Sequence, residues 1–219
     1  MTTRRQMLLS VSAATAHAAL AAACGSSEGD GALDLGASED ALCRRSTSDA
    51  DGPFYLPGAP PRIALAAASE PGTKLVVAGR LLDTDCRTAL AGLTIDLWQA
   101  DAGGDYSMAG AAEDFRLRGK ITTDAAGRFT ATTIIPGRYA DDVGRIRPAH
   151  IHAKVWDRGH LLLTTQLYFA GDPYLGRRDY CTVAGTCNSA DAARIARLTR
   201  SGDAGTGVLQ ASYDLIVAP

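Results

Sequence analysis

The chain has 219 residues, 22 basic against 24 acidic, for a formal net charge of −2. That balance gives no support for nucleic-acid binding, and beyond the N-terminal stretch no apolar run is long enough to span a membrane as a helix. Setting aside about thirty to forty N-terminal residues as targeting and tether leaves one domain of ordinary size, able to bury a core without staples.

Residues 1–23 read as an export signal. Arg4-Arg5 precedes the apolar stretch from Met7 to Ala23, interrupted by His17, in a Tat-like pattern. The stretch closes as Leu20-Ala21-Ala22-Ala23-Cys24-Gly25-Ser26-Ser27. Small residues before a cysteine resemble a bacterial lipobox, with Ala21 where leucine is usual; the alternative is an ordinary cleaved signal with an incidental cysteine. The expectation is export by a bacterial cell to the periplasm or cell surface, with Cys24 as a candidate lipid anchor. Residues 24–42 follow as a flexible tether rich in Gly, Ser, Asp and Ala, and residues 43–219 form the folded domain.

The remaining elements are strand-like. Asp49 to Pro61 holds four prolines and two glycines and cannot be a regular element. Strands are predicted over 74–82, 93–99, 115–123, 128–134, 149–156, 161–169 and 208–217, from period-two alternation bounded by Gly, Asp and Pro. Asp124-Ala125-Ala126-Gly127 reads as a hairpin connection. One helix is predicted over 190–200, with Ser189 as its N-cap and Gly202 as its stop. Seven or so short strands predict an all-β fold, an immunoglobulin- or transthyretin-like β-sandwich with one short C-terminal helix. Gly103-Gly104 is too little for a nucleotide loop.

The cysteines fit an oxidising compartment. If Cys24 carries lipid, Cys43, Cys86, Cys181 and Cys187 remain, an even number with three possible pairings. Cys181 and Cys187 enclose a short turn-rich segment; their pairing would leave Cys43 with Cys86 and clamp the N-terminal segment to the sheet. The alternative is four buried thiols. A four-cysteine metal site lacks the usual CxxC spacing.

The chemistry concentrates in Arg147-Pro148-Ala149-His150-Ile151-His152. On a strand, side chains two apart share a face, so His150 and His152 can reach one metal without bending the backbone. Tyr139 ends the turn Pro136-Gly137-Arg138-Tyr139, and Tyr106 ends the run Trp98 to Tyr106. Imidazole suits several first-row metals, whereas anionic phenolate oxygen is a hard donor that favours a highly charged ion. The set points to iron(III). The competing reading of His-x-His alone is a pair on a solvated face. His160 reads as solvated, Trp98, Trp156, Tyr168 and Phe169 as packed, and Tyr55 as either packed on the sheet or facing a pocket.

These motifs, in this order, resemble the intradiol ring-cleavage dioxygenases, the non-haem iron(III) family that includes catechol and protocatechuate dioxygenases. Asp51 to Tyr55, Leu97 to Tyr106, Pro136 to Tyr139, Arg147 to His152 and Thr164 to Phe169 carry the resemblance, over about Asp51 to Pro173. It implies Tyr106, Tyr139, His150 and His152 as metal ligands, with Tyr139 the one displaced when a diol chelates the iron. Arg147 would stabilise carbanion-like charge on the substrate and Gln166 would position it. Gly52, Pro53 and Tyr55 would lie beside it. The implied reaction opens an aromatic ortho-diol with O2 to a cis,cis-muconate-type diacid. The charge-rich segment after Tyr139, and Ala153 after His152, depart from the pattern, and the helical dimerisation region of the catechol-type enzymes has no obvious counterpart. A compact core is therefore expected, with its oligomeric state left open.

Two other readings compete. One is an exported iron- or catecholate-binding lipoprotein without turnover; the other is a transthyretin-like structural module. Arg147 and Gln166 argue against simple chelation, which needs neither. A carboxylated ring would want a second cation, for which Arg62, Arg138 and Arg145 are candidates.

Overall fold

The structure, a computed structural model, describes residues 43–108, 115–140, 143–201 and 207–219. The export signal, the tether with Cys24, and Asp141-Asp142 lie outside the described residues.

Two sheets face each other. The first has the order β10 (Thr199–Ser201), β11 (Val208–Ile216), β1 (Lys74–Leu82), β4 (Arg128–Ile134). The second runs β3 (Arg118–Thr122), β2 (Thr94–Gln99), β7 (His150–Asp157), β8 (His160–Phe169), β9 (Ile195–Ala196). A two-stranded ladder, β5 (Tyr139–Ala140) with β6 (Ile146–Arg147), stands apart from both. Most neighbours are antiparallel, but β1 pairs with β11, and β8 with β9, in parallel. The β-sandwich expectation holds.

Alternation builds the core. Val77 and Leu81 on β1, Phe129 and Ala131 on β4, and Ala211, Tyr213 and Leu215 on β11 meet Ile95, Leu97, Ile151, Ala153, Val155 and Leu167 of the other sheet. Each Val, Leu, Ile or Phe side chain among them contributes on the order of 1.5–3 kcal/mol by leaving water. On β7 the odd residues Ile151, Ala153 and Val155 belong to this core, so His150, His152 and Lys154 occupy the opposite face. That face is buried too, because residues 46–65 cross it as an irregular strap. Asp49 N–H donates to Thr164 O (2.8 Å) and Pro61 bridges to Lys120 on this sheet, while Ser46 N–H ties the start of the strap to Ile216 O of the first sheet (2.9 Å). The Cys43–Cys86 disulfide fastens the start of the strap, and Cys181–Cys187 closes a short loop, one of the three pairings the sequence left open.

Two expectations need correction. Residues 190–200 do not form a helix: Ala192–Arg194 is a single 3-10 turn capped by Asp191, and the chain then extends into β9 and β10. Tertiary contacts override the alanine-rich local pattern, since Arg194 is drawn inward to pair with buried Asp49 while Ile195–Ala196 pairs with Tyr168–Phe169. The one α-helix among the described residues is a single turn, α1 (Tyr180–Val183), capped by Asp179. The turn at Asp124–Gly127 is hydrogen-bonded, with Gly127 N–H donating to Asp124 O at 2.9 Å. It connects β3 to β4, however, and so carries the chain from one sheet to the other rather than closing a hairpin within one. No helix among the described residues is long and apolar enough to cross a membrane.

Candidate functional site

The outer face of the second sheet carries a row of directly paired residues: Arg118 on β3, Trp98 on β2, His152 on β7 and Gln166 on β8. One step along, His150 pairs with Tyr168. Direct pairing puts side chains on one face at close range, so sheet register alone brings both histidines, Gln166 and Tyr168 together. Trp98 stacks on the His152 ring at 4.6 Å and 7° between planes and holds its orientation.

The two tyrosines arrive on turns. Asp101 organises the first: its carboxylate accepts the N–H groups of Gly103 (2.8 Å) and Asp105 (3.1 Å), and its carbonyl accepts Gly137 N–H (2.7 Å) from the second turn. The turns touch backbone to backbone. Gly104 has φ +96°, and a Cβ on Gly137 would lie 2.4 Å from Gly104 N. Only glycine permits both conditions, and this contact sets Tyr106 and Tyr139 edge to face, 5.7 Å between ring centroids. In the Gly103-Gly104 doublet it is Gly104 that serves close backbone approach.

The donor atoms converge. His150 Nε2 and His152 Nε2 are 3.2 Å apart, and the Tyr106 hydroxyl is 3.5 Å from His150 Nε2. His150 Nδ1 lies 2.7 Å from Pro148 O, which places its proton on Nδ1 and leaves Nε2 as a lone pair. Burial, then the Arg147 charge, lowers His150 to about 3, and burial holds His152 well below the usual imidazole range. Both rings are therefore neutral at pH 7. Neighbouring imidazole nitrogens this close repel unless a proton or a cation is shared between them.

Burial also raises the Tyr106 phenol, with the Tyr139 phenol adding to the shift. Tyr139 is raised by burial against the opposing pull of Arg147. Phenols so placed ionise only in the field of a strong cation. Two neutral imidazoles and two buried phenols on one centre fit a highly charged first-row metal. Among the described residues no group of three or more His, Cys, Asp or Glu is placed to hold a metal ion, so the centre is visible only when tyrosine counts as a donor.

Arg147 flanks this centre, buried at the end of β6. Its Nε donates to Asp179 Oδ1 (2.9 Å), and its Nη2 to Gln166 Oε1 (2.6 Å) and the Tyr168 hydroxyl (3.3 Å). Its Nη1 lies 3.5 Å from the Tyr139 hydroxyl. Gln166 is held in turn by Ala50 O at 2.8 Å, and Tyr168 donates to Gln166 Oε1 (2.9 Å) and reaches Asp49 Oδ2 (3.1 Å).

From the strap, Phe54 stacks on Tyr106 at 4.2 Å and meets Tyr139 edge-on at 6.0 Å. It lines an open cavity of about 410 Å³ with Gly104, Tyr106, Arg138 and Tyr139. Gly52 faces His152, where a Cβ would come within 3.4 Å of the ring, and Pro53 is exposed. Tyr55 sits one layer away: its hydroxyl donates to Asp96 Oδ2 (3.0 Å) and its ring rests against Trp98 (4.9 Å). The packed reading describes Tyr55, while its neighbour Phe54 reaches the tyrosine pair. Sequence reasoning missed Phe54, Asp49 and Asp179, and took Tyr168 for simple packing. The aromatic after Gly52-Pro53 was the available signal for Phe54; no local pattern marks Asp179. Of the three candidate cations, Arg62 donates to the carbonyls of Arg118 and Phe115, Arg138 pairs with Asp172, and Arg145 lies over the Tyr180 ring.

A family model described as "Dioxygenase" matches residues 50–219. The chain is 36% identical over 142 residues to catechol 1,2-dioxygenase 2 of Acinetobacter lwoffii, covering 57% of this chain and 51% of that protein. It is 35% identical over 158 residues to hydroxyquinol 1,2-dioxygenase of Rhizobium sp. strain MTP-10005, covering 62% and 53%. The chain thus spans about half the length of the curated relatives it matches. The dioxygenase domain of a dioxygenase carbohydrate-binding protein fusion from Streptomyces sp. SirexAA-E superposes with TM-score 0.65 at 34% identity, covering 80% of this chain and 99% of that one. The 3-chlorocatechol 1,2-dioxygenase of Rhodococcus opacus 1CP gives 0.66 at 29%, covering 82% and 76%.

Proposed function

Because the chain belongs to the intradiol ring-cleavage dioxygenase family, we propose that it is a non-haem iron(III) enzyme. In this reading it opens a catechol-type ortho-diol between its hydroxyls with O2, giving a cis,cis-muconate-type diacid. The observation that carries the reading is the convergence of Tyr106, Tyr139, His150 and His152 beside a buried arginine. Those four would hold the metal, and when bound, iron(III) supplies a strongly electron-withdrawing centre that activates the chelated diol.

The residues around it have separable tasks. Tyr139 is the ligand we assign to leave; its oxygen, once freed, can take a proton from a diol hydroxyl. Arg147 presents Nη1 beside that oxygen, and a permanent cation there favours negative charge developing on the ring. Gln166 keeps Arg147 Nη2 and the strap in register. Phe54, flat on Tyr106, forms one apolar wall of the cavity. Arg62 is occupied by carbonyls, Arg138 by Asp172 and Arg145 by the Tyr180 ring, which favours an uncarboxylated ring over a carboxylated one.

We also propose export, as read from Arg4-Arg5 through Cys24, and two disulfides within the described residues support an oxidising compartment. Cell fractionation of the full chain and of Cys24→Ser tests that reading and the lipid anchor.

The function is tested by the visible spectrum of the iron-loaded protein before and after anaerobic catechol, followed by oxygen uptake on a panel of diols. A phenolate charge-transfer band that shifts with catechol, with stoichiometric oxygen consumption, is the expected result. Catechol binding with no oxygen uptake would replace the enzyme with an iron- or catecholate-binding protein. A colourless protein with full iron content would remove the tyrosines from the ligand set.

A further inference from the structure

We infer that Asp179 is a positioning residue for the Arg147 guanidinium, and that the Cys181–Cys187 loop holds Asp179 in place. The inference rests on the role proposed above for Arg147.

A guanidinium is a rigid planar fork, so fixing two of its edges fixes the third. Asp179 takes Nε at 2.9 Å, while Gln166 and Tyr168 take Nη2. Nη1 is then directed at Tyr139, the face on which a substrate would stand. Gln166 and Tyr168 come from β8, within the sheet. Asp179 comes from outside both sheets and closes the arrangement from behind.

Charge explains why this position is a carboxylate. Arg147 is asked to sit beside a site that would hold a multivalent cation, and two like charges in a buried place repel. Asp179, with no exposure of its side chain, offsets the arginine's charge from the far side. Breaking a buried pair strands the surviving charge, so the guanidinium would swing toward other acceptors when Asp179 is lost.

What holds Asp179 is local. Its Oδ1 accepts the Cys181 N–H (3.2 Å) and its Oδ2 accepts the Thr182 hydroxyl (3.2 Å) at the start of α1. A single helical turn has no stability of its own. This one is closed by the disulfide six residues along, and by Thr182 Oγ1 accepting Ser189 N–H at 2.9 Å. Thr186 and Cys187 N–H both return to Cys181 O, at 3.1 and 3.3 Å. The loop therefore presents a carboxylate whose direction is set before Arg147 meets it.

The test compares wild type with Asp179→Asn, which keeps an oxygen for the helix cap but removes the charge. Iron content, the charge-transfer band and the catechol concentration needed to shift it should stay near wild type, while kcat falls roughly ten-fold or more. In an Arg147→Ala background the same substitution should change kcat less than about two-fold, since coupled groups are not additive. A second readout needs no turnover. In metal-free protein the Arg147 Nε–H resonance should be protected from exchange in wild type, and lose protection in Asp179→Asn and in the Cys181→Ser/Cys187→Ser double variant. If Asp179→Asn does not fold, the double cysteine variant carries the test, because it leaves both charges in place. Wild-type kcat in Asp179→Asn, or an equal loss in the Arg147→Ala background, overturns the positioning role. Unchanged Nε–H protection in the double cysteine variant overturns the role of the loop. Wild-type protein that turns over no diol would defeat the functional reading, while the Nε–H measurement still decides this one.

Discussion

A Cβ atom on Gly104 would lie 2.3 Å from the carbonyl oxygen of Arg138. The two residues belong to different turns, one delivering Tyr106 and the other Tyr139. The absence of a side chain at 104 is therefore a condition for bringing two phenol oxygens to one centre. The local sequence, with Asp101 bonding forward to Gly103 and Asp105, makes the turn; Gly104 lets it dock.

Gly104→Ala meets both a positive φ and a backbone clash, and should destabilise the fold by about 2–3 kcal/mol. Urea unfolding reads the loss. The substitution should also weaken iron retention, because the turns separate. A variant with wild-type midpoint and iron content would mean that the turns tolerate a side chain there.

Tyr106→Phe and His150→Ala each remove one proposed donor from the centre. Either change should weaken iron retention, diminish or shift the phenolate charge-transfer band, and reduce oxygen uptake with catechol to background. Absorbance and an oxygen electrode are sufficient. Retained colour and turnover in both variants would take these residues out of the ligand set.

Metal-free protein should lose stability on acidification. His150 is lowered to about 3 by burial and by Arg147, whereas an unfolded histidine titrates near 6.5. Between those values the unfolded chain binds a proton that the folded one refuses. Stability is full above about pH 6.5 and declines as the pH falls toward 3, by about 2 kcal/mol from this group between pH 7 and pH 5. His152 acts in the same direction; Asp96, raised by burial, has the opposite sign. Denaturant midpoints at the two pH values check this, and a flat profile would contradict neutral burial of the pair.

Removing the Cys43–Cys86 disulfide by a double serine substitution frees a loop of 43 residues and should cost about 3–4 kcal/mol by loop entropy. The strap it anchors carries Asp49, Phe54 and Tyr55, so amide exchange over residues 46–55 should accelerate more than exchange in β1. Uniform acceleration would show that the strap is not a separate unit.

What the sequence made legible was what depends on short-range pattern. His150 and His152 alternate on a strand; Tyr106 and Tyr139 end Gly-containing turns; Lys74–Leu82 and Arg128–Ile134 appear as the strands expected. What escaped depends on pairings remote in sequence. Asp179 meets Arg147 across 32 residues, and Asp49 meets Arg194 across 145. Ala192, Ala193, Arg194, Ile195 and Ala196 have good helical propensity, and only the buried carboxylate of Asp49 and the edge of β8 make an extended chain the better solution there. The turn at Asp124–Gly127 announced itself, but nothing within four residues says which sheet the next strand joins.

The parallel pairing of Leu75–Leu82 with Leu209–Ile216 has a consequence for the order of assembly. Tyr106, Tyr139, His150 and His152 all lie within the long stretch that this pairing closes. During synthesis, β1 has β4 as a neighbour and an open edge on its other side until β11 has emerged. Non-local pairings of this kind form late. A nascent chain therefore carries Tyr106, Tyr139, His150 and His152 before the strand that completes the first sheet has emerged, and that strand contributes none of the four.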